Sequence, residues 1–321
     1  MSKRRLRYSG LLILSLVVTA AGLAQDDTRQ KKADKMTGTP VMWQEIDVAS
    51  VNTLIGPGGE EMKPDLSKIE FIRQETGGYS TKYRIRDGAG KVWVAKVGAE
   101  AQSETAAVRL LSALGYHTEI NYLVPEITIP GKGTLKNVRL EARPDSVERL
   151  DRWRWKESPF KGTPQMQGLK IMMAFFNNWD MKDDNNVILK KGDELQYVIS
   201  DLGVSFGKTG SNGLPLFWII GRTRNEPTEY AEADFVRDVK DGKIKFEFNG
   251  KNRDLLGDIT SEDARWLVGR LNQLSDKQIE DAFRAANYSS EEVALLRDSV
   301  KRRIRALDLA TQGVVASQKA S

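Results

Sequence analysis

Acidic, amide and lysine side chains recur at four places in the sequence, each beside a predicted strand or helix. They are Lys96 in VWVAK, Glu104 in the helical pattern that follows, Asp180, Lys182 and Asn185 in NNWDMKDDNN, and Asp201 in SDLG. Such a set can neutralise negative charge and position phosphate groups. These are the main requirements of phosphoryl transfer, in which the protein contributes electrostatics and positioning rather than covalent chemistry.

The counts of cysteine and histidine exclude several other chemistries. The chain has no cysteine and a single histidine, His117. Thiolate zinc sites, thiol nucleophiles and multi-histidine metal sites are therefore excluded, and a Ser–His–Asp triad would have to use His117. The 321 residues, 40 % of them hydrophobic, are enough for a packed core in one large domain or two small ones.

The net charge of +5 comes almost entirely from the N-terminus. Four basic residues lie within the first seven positions, and without residues 1–24 the chain has 45 basic residues against 44 acidic ones. A net charge near +1 gives no general attraction to polyanions. We therefore expect no nucleic-acid partner.

The N-terminal sequence predicts export. A basic stretch over 1–7 precedes an uncharged apolar run over 10–24, which ends with the small residues Gly22 and Ala24. This pattern is typical of a secretory signal peptide, and the run is shorter than the roughly 20 residues that span a bilayer. An uncleaved leader would be the only predicted membrane contact. In either case we expect a periplasmic or secreted protein.

The order of predicted elements places a strand-rich half before a helix-rich half. The predicted strands are 69–72, 79–86, 92–96, 121–129, 136–142, 186–190 and 195–200, and the predicted helices are 103–114, 166–177, 261–273, 276–286 and 290–308. Ser103 is a candidate N-cap. This order favours a two-lobed α+β architecture. The predicted divisions are a signal peptide (1–24), a flexible linker (25–45), an N-lobe (46–143), a C-lobe (144–310) and a disordered tail (311–321).

The four motifs resemble those of the protein-kinase-like superfamily, over roughly residues 70–210. Asp180, Lys182 and Asn185 match the D-x-K-x-x-N spacing, and Asp201-Leu202-Gly203 occupies the D-F-G position. The helix pattern E-x-x-A-x-x-L-L-x-x-L-G from Glu104 is similar to that of atypical members. These are toxin–antitoxin serine kinases, type II phosphatidylinositol kinases and secreted kinases. The resemblance implies a strand-rich N-lobe and a helical C-lobe.

The resemblance also implies a role for each residue of the set. Nucleotide phosphates would be held by Gly77, Gly78, Ser80, Lys96 and Glu104, and Mg²⁺ or Mn²⁺ by Asn185 and Asp201. Asp180 would accept the proton of a hydroxyl acceptor, with Lys182 beside the transferring group. The implied cofactors are ATP or another nucleotide with its metal, and the acceptor is not specified.

Two positions in this assignment have an alternative, and two others depart from the family pattern. Glu100 could replace Glu104, and Asn186 could replace Asn185. Asn178 and Trp179 stand where ordinary protein kinases have His and Arg. Regulation by a phosphorylated activation loop is therefore not expected.

Two alternative functions and two structural interpretations complete the sequence-based reading. A kinase-fold module that binds a ligand or partner without catalysis is the main alternative function. An unrelated exported α+β binding domain is a further one. We interpret the aromatic residues of RWRWK over 152–156 as packing residues, and Arg302, Arg303 and Arg305 as an exposed helix face.

Overall fold

The computed structural model describes residues 36–76, 80–210 and 219–315. Their strands and helices form two lobes. The strands are β1 (Thr39–Val41), β2 (Glu70–Glu75), β3 (Lys82–Arg86), β4 (Val92–Lys96), β5 (Asn121–Ile129), β6 (Gly133–Ala142), β7 (Val147–Arg149), β8 (Asn186–Lys191), β9 (Glu194–Ile199), β10 (Val236–Lys240) and β11 (Lys243–Phe246). The helices are α1 (Glu100–Ala113), α2 (Pro164–Phe175), α3 (Pro227–Glu232), α4 (Ser261–Leu271), α5 (Asp276–Arg284) and α6 (Ser290–Thr311). The two-lobed α+β architecture predicted from the sequence is confirmed.

The N-lobe is a five-stranded antiparallel sheet with the strand order β2-β3-β4-β6-β5. Its β3–β4 turn is held by Asp87, whose carboxylate accepts hydrogen bonds from Lys91 N at 2.8 Å and Trp93 Nε1 at 2.9 Å. Trp93 is buried in an apolar cluster with residues of β5 and β6. The β4–β6 register pairs Lys96 with Arg139, so two cations lie side by side where the sheet meets α1.

Helix α1 begins three residues earlier than the sequence predicted, and Ser103 is not its N-cap. Ala99 occupies the N-cap position without a side-chain capping bond. The Ser103 hydroxyl instead donates to the carbonyl of Gly203 at 2.5 Å. A local capping pattern was therefore overridden by a tertiary hydrogen bond, which ties α1 to the segment after β9.

The predicted linker over 25–45 differs from the structure at its C-terminal end. Residues 39–41 form β1, which pairs in parallel with β9, with Thr39 opposite Glu194. Met42 is only 2 % exposed, and it packs with Val48 in the core of the helical lobe. A three-residue strand in a polar stretch has too little periodicity to be recognised. Residues 39–42 thus form a strand and contribute to the core, and Trp43 and Gln44 hydrogen-bond to the end of the helix Glu100–Ala113 at Leu114 and Gly115.

Four helices of the helical lobe begin at N-cap residues whose side chains accept backbone hydrogen bonds. Thr163 caps α2, and α4, α5 and α6 each begin with a capping box in which the N-cap and N3 side chains hydrogen-bond reciprocally. Trp153 and Trp155 are buried, as predicted for packing residues. Arg303 is also buried, at 3 % exposure, so the prediction of an exposed arginine face is wrong at that position.

Several sequence predictions fall outside the described residues. These are the signal peptide over 1–24, the part of the predicted linker over 25–35, the glycines Gly77 and Gly78, and the last six residues of the predicted tail. Within the described ranges, none of the helices combines the length and apolar character needed to cross a membrane.

Candidate active site

Lys96 is buried at the end of β4, where three carboxylates surround its ammonium group. Its Nζ lies 3.0 Å from Glu104 Oε2, 3.1 Å from Glu100 Oε2 and 3.8 Å from Asp201 Oδ1. Glu100 and Glu104 lie one turn apart on α1 and so project from the same face. The two candidates that the sequence offered for one role therefore both contact Lys96.

The carboxylates keep Lys96 in its charged form. Burial alone would lower the pKa of Lys96, but Glu104, Asp201 and Glu100 together raise it above its ordinary value. Burial raises the pKa of Glu104, although Lys96 and Arg139 favour its carboxylate form. Arg139 NH1 lies 2.9 Å from Glu104 Oε1. A charged ammonium held in place by acidic side chains is suited to binding phosphate oxygens.

Glu100 connects Lys96 to two further parts of the chain. Its Oε1 is 2.6 Å from Arg224 NH1, and its Oε2 accepts a hydrogen bond from Ser80 Oγ at 3.0 Å. Burial would raise the pKa of Glu100, but Lys96, Arg224 and Ser80 lower it overall. Ser80, a sequence candidate for phosphate cover, thus lies beside the Lys96 cluster.

The loop after α2 is shaped by two asparagines. Asn177 adopts a left-handed backbone conformation (φ 55°), and its side chain donates to Gly207 O at 2.7 Å. Asn178 Oδ1 accepts from Asp180 N at 3.2 Å, while its Nδ2 lies 3.5 Å from Asp201 O. Asn178 therefore orients Asp180 and links its loop to Asp201.

Asp180 is half-buried and is contacted by two lysines and an amide. Lys251 Nζ lies 2.6 Å from Oδ1, whereas Lys182 Nζ and Asn185 Nδ2 lie 2.9 and 3.1 Å from Oδ2. Burial would raise the pKa of Asp180, but hydrogen bonds from Lys251, Lys182 and Asn185 lower it below its usual range. The carboxylate is therefore ionised at neutral pH, as a proton acceptor must be.

The two candidate metal-binding asparagines are in different surroundings. The Asn185 amide donates to Asp180, and the Asn185 backbone carbonyl accepts from the N–H of Ser200, the residue before Asp201, at 2.7 Å. Asn186 is buried at the start of β8, where its Nδ2 donates to Trp153 O at 3.0 Å. Of the two, Asn185 is the one whose side chain lies at the Asp180 site.

The oxygen donors at this site suit a metal shared with a phosphate ligand. Asp201 is 40 % exposed, and its Oδ1 accepts from Gly203 N at 3.2 Å. Among the described residues, no group of three or more acidic or histidine side chains could hold a metal ion. Mg²⁺ commonly binds one or two carboxylates and completes its shell with substrate phosphates and water. Asn185 and Asp201 fit that mode.

Sequence reasoning missed Lys251, Arg224 and Arg139, all of which contact the predicted residues. Arg139 lies 35 positions from Glu104, and Lys251 lies 71 positions from Asp180. Arg224 is still farther along the chain from Glu100. No local motif marks them, because their roles depend on tertiary placement. Only the β4–β6 register indicates the position of Arg139, and this register is known only once the order of the strands in the sheet is known.

No family model and no curated protein matches the chain. Several solved structures resemble it, among them three structures of kinases. The Helicobacter pylori proinflammatory kinase CtkA has 11 % identity and a TM-score of 0.48, covering 79 % of this chain and 99 % of its own.

The other two similar structures are of the Golgi casein kinase. The form with Mn and ADP bound has 9 % identity and a TM-score of 0.41, covering 96 % of this chain and 91 % of its own. The second has 9 % identity and a TM-score of 0.41, covering 99 % of this chain and 94 % of its own. The chain itself has a two-lobed α+β fold, in which the five-stranded sheet carries Lys96 and the helical lobe presents Asp180 and Asp201.

Proposed function

We propose that the protein is an exported kinase that transfers the γ-phosphoryl group of a nucleotide to a hydroxyl acceptor. The observation that carries this proposal is the convergence of three separate chain segments. Lys96 Nζ lies 3.8 Å from Asp201, and Asn178 links Asp201 to the loop of Asp180. The groups proposed to bind phosphate, hold the metal and accept the proton therefore lie close together in the folded chain.

Each residue has a role that its surroundings support. Lys96, held by Glu104 and Glu100, would bind the nucleotide phosphates. Asn185 and Asp201 would hold Mg²⁺ or Mn²⁺, which neutralises phosphate charge when bound.

The transfer step is a single displacement at the γ-phosphorus. The acceptor oxygen bonds to the γ-phosphorus as the bond from phosphorus to the β–γ bridging oxygen breaks. The acceptor proton passes to Asp180, and Lys182 stabilises charge on the transferring group. The products are a nucleoside diphosphate and the phosphorylated acceptor.

Nucleotide-dependent thermal unfolding tests the proposal. ATP with Mg²⁺ or Mn²⁺ should raise the unfolding temperature of the wild-type protein, and Asp201→Asn should abolish most of the shift. Asp145→Asn, at an exposed position, is the matched control and should keep the full shift. The absence of any shift in the wild type at millimolar nucleotide would overturn the proposal.

One observation favours the alternative of a non-catalytic binding module. Both carboxylate oxygens of Asp180 are in contact with lysine ammonium groups, which compete with an acceptor hydroxyl. A binding module would show the metal-dependent nucleotide shift but release no nucleoside diphosphate with any hydroxyl acceptor. Coupled measurement of diphosphate release therefore separates the two functions.

A further inference from the structure

The loop over 249–252 is attached directly to the loop of Asp180. Lys251 N donates to Trp179 O at 2.8 Å, and Asn252 Nδ2 donates to Met181 O at 3.0 Å. A Cβ at Gly250 would lie 2.9 Å from Trp179 Cα, so a side chain there would separate the two loops. This arrangement fixes Lys251 beside Asp180, although the two residues lie far apart in sequence.

Three cationic side chains, Lys251, Lys182 and Arg222, lie near Asp180, and Lys182 is also attracted by Asp184 and Asp201. Lys251 and Lys182 both contact the one carboxylate, and Arg222 lies over the Trp179 ring at 5.3 Å. Arg222 donates to the carbonyls of Thr209 and Asn249, and among the described residues it forms no ion pair. Lys251 is 48 % exposed, so a ligand can reach its ammonium group.

An acceptor hydroxyl that approaches Asp180 Oδ1 meets Lys251 on the same oxygen. A neutral acceptor would weaken the ion pair between Asp180 and Lys251 and would offer the Lys251 ammonium no other anion. An acceptor with a carboxylate or phosphate a few ångströms from its hydroxyl would give the ammonium a new charge-assisted hydrogen bond. We propose that Lys251, with Arg222 nearby, forms a subsite for an anionic group of the acceptor, while Lys182 on the other oxygen of Asp180 remains beside the transferring group. This inference rests on the proposed kinase function.

Binding of a small matched pair of ligands tests the subsite. sn-Glycerol 3-phosphate and glycerol both present hydroxyls, but only the first carries an anion. Binding is measured by calorimetry at constant ionic strength, with saturating ADP and Mg²⁺ so that phosphate binding at Lys96 is already satisfied. Glycerate replaces the phosphate by a carboxylate in a third titration.

The wild-type protein should bind glycerol 3-phosphate or glycerate at least 10-fold more tightly than glycerol. Lys251→Met should remove most of that difference, and Lys251→Arg should keep it. Lys240→Met, at an exposed lysine of β10, is the matched control and should bind as the wild type does.

Two results would overturn the subsite. One is equal binding of the anionic and neutral ligands by the wild type. The other is unchanged anion binding in Lys251→Met. Failure of the proposed function appears separately, as loss of the metal-dependent nucleotide shift in the wild type. Anion binding that depends on Lys251 without nucleotide binding would retain the anion site but overturn its role in phosphoryl transfer.

Discussion

At the scale of single residues, Asp180 is held ionised by a neighbour that the sequence did not identify. Lys182 and Asn185, which share its motif but were predicted for other roles, both contact one of its oxygens. The other oxygen is contacted by Lys251, 71 positions away. The pKa of Asp180, the candidate base, is therefore set both by residues of its own loop and by Lys251 of a distant loop.

Replacing Lys251 should change the pH dependence of the proposed phosphoryl transfer. Lys251 lowers the pKa of Asp180, so Lys251→Met should raise it and move the acidic limb of the pH–rate profile to higher pH. Ionised Asp180 also stabilises the folded protein, and this contribution to the free energy of unfolding is lost as pH falls through the pKa of Asp180 in the folded protein. The measurement is initial rate against pH for the wild type, Lys251→Met and Lys240→Met. An acidic limb at the same pH in all three would contradict this role of Lys251.

The buried charge of Glu104 gives a second prediction at the residue scale. Glu104→Gln keeps the shape but removes a charge shared between Lys96 and Arg139, so stability should fall by about 3 kcal/mol. Urea unfolding measures the change. Glu126→Gln, an exposed carboxylate on β5, should stay within about 0.5 kcal/mol of the wild type. An equally small effect at Glu104 would mean that its carboxyl is already protonated in the folded protein.

At the scale of elements, the site depends on how closely α1 approaches the segment after β9. The Ser103 hydroxyl bonds to Gly203 O, and a Cβ at Gly203 would lie 2.7 Å from Glu100 Cβ. Glycine is required there by this close approach rather than by an unusual φ angle. The glycine of the SDLG motif thus sets the distance between Glu100 and Asp201.

Gly203→Ala should therefore push α1 away from Asp201. We expect a loss of about 1–3 kcal/mol in stability from overpacking, together with a smaller nucleotide-dependent thermal shift. Gly269→Ala is the control, because a Cβ in α4 would meet no atom within 4 Å. That substitution should leave the nucleotide shift intact and increase stability by up to about 1 kcal/mol. A normal nucleotide shift in Gly203→Ala would show that the separation of α1 from Asp201 is not critical.

The elements with regular patterns were predictable, and those defined by tertiary contacts were not. The predicted strands over 79–86 and 92–96 and the predicted helices over 261–273, 276–286 and 290–308 agree with β3, β4 and α4–α6 to within three residues at each end. β1 was missed because three residues in a polar stretch form a strand only where β9 is available. The same holds for the candidate site. Asp180 and Asn185 were predictable because they share a motif, whereas Lys251 was not, because only the folding of the chain brings it to Asp180.

At the scale of the whole molecule, Arg303 connects the last helix to the start of the candidate catalytic loop. Its guanidinium donates to Phe175 O at 3.2 Å, Asn177 Oδ1 at 3.1 Å and Ala233 O at 3.1 Å. It also lies 4.2 Å from the centre of the Tyr230 ring. Carbonyl oxygens, rather than a carboxylate, satisfy this buried cation. α6 thereby holds the end of α2, from which the loop of Asp180 begins.

Arg303→Lys should therefore destabilise the protein although it conserves the charge. A lysine ammonium cannot reach carbonyls on both α2 and α3, and each buried acceptor left without a donor costs about 1–3 kcal/mol. We expect a total loss of about 2–4 kcal/mol in urea unfolding. Because Asn177 would lose its partner, the nucleotide-dependent thermal shift should also decrease under conditions where the variant is folded. Arg305→Lys, two positions along α6 and exposed, should change neither quantity. Equal stability of the two variants would mean that α6 does not anchor the loop through Arg303.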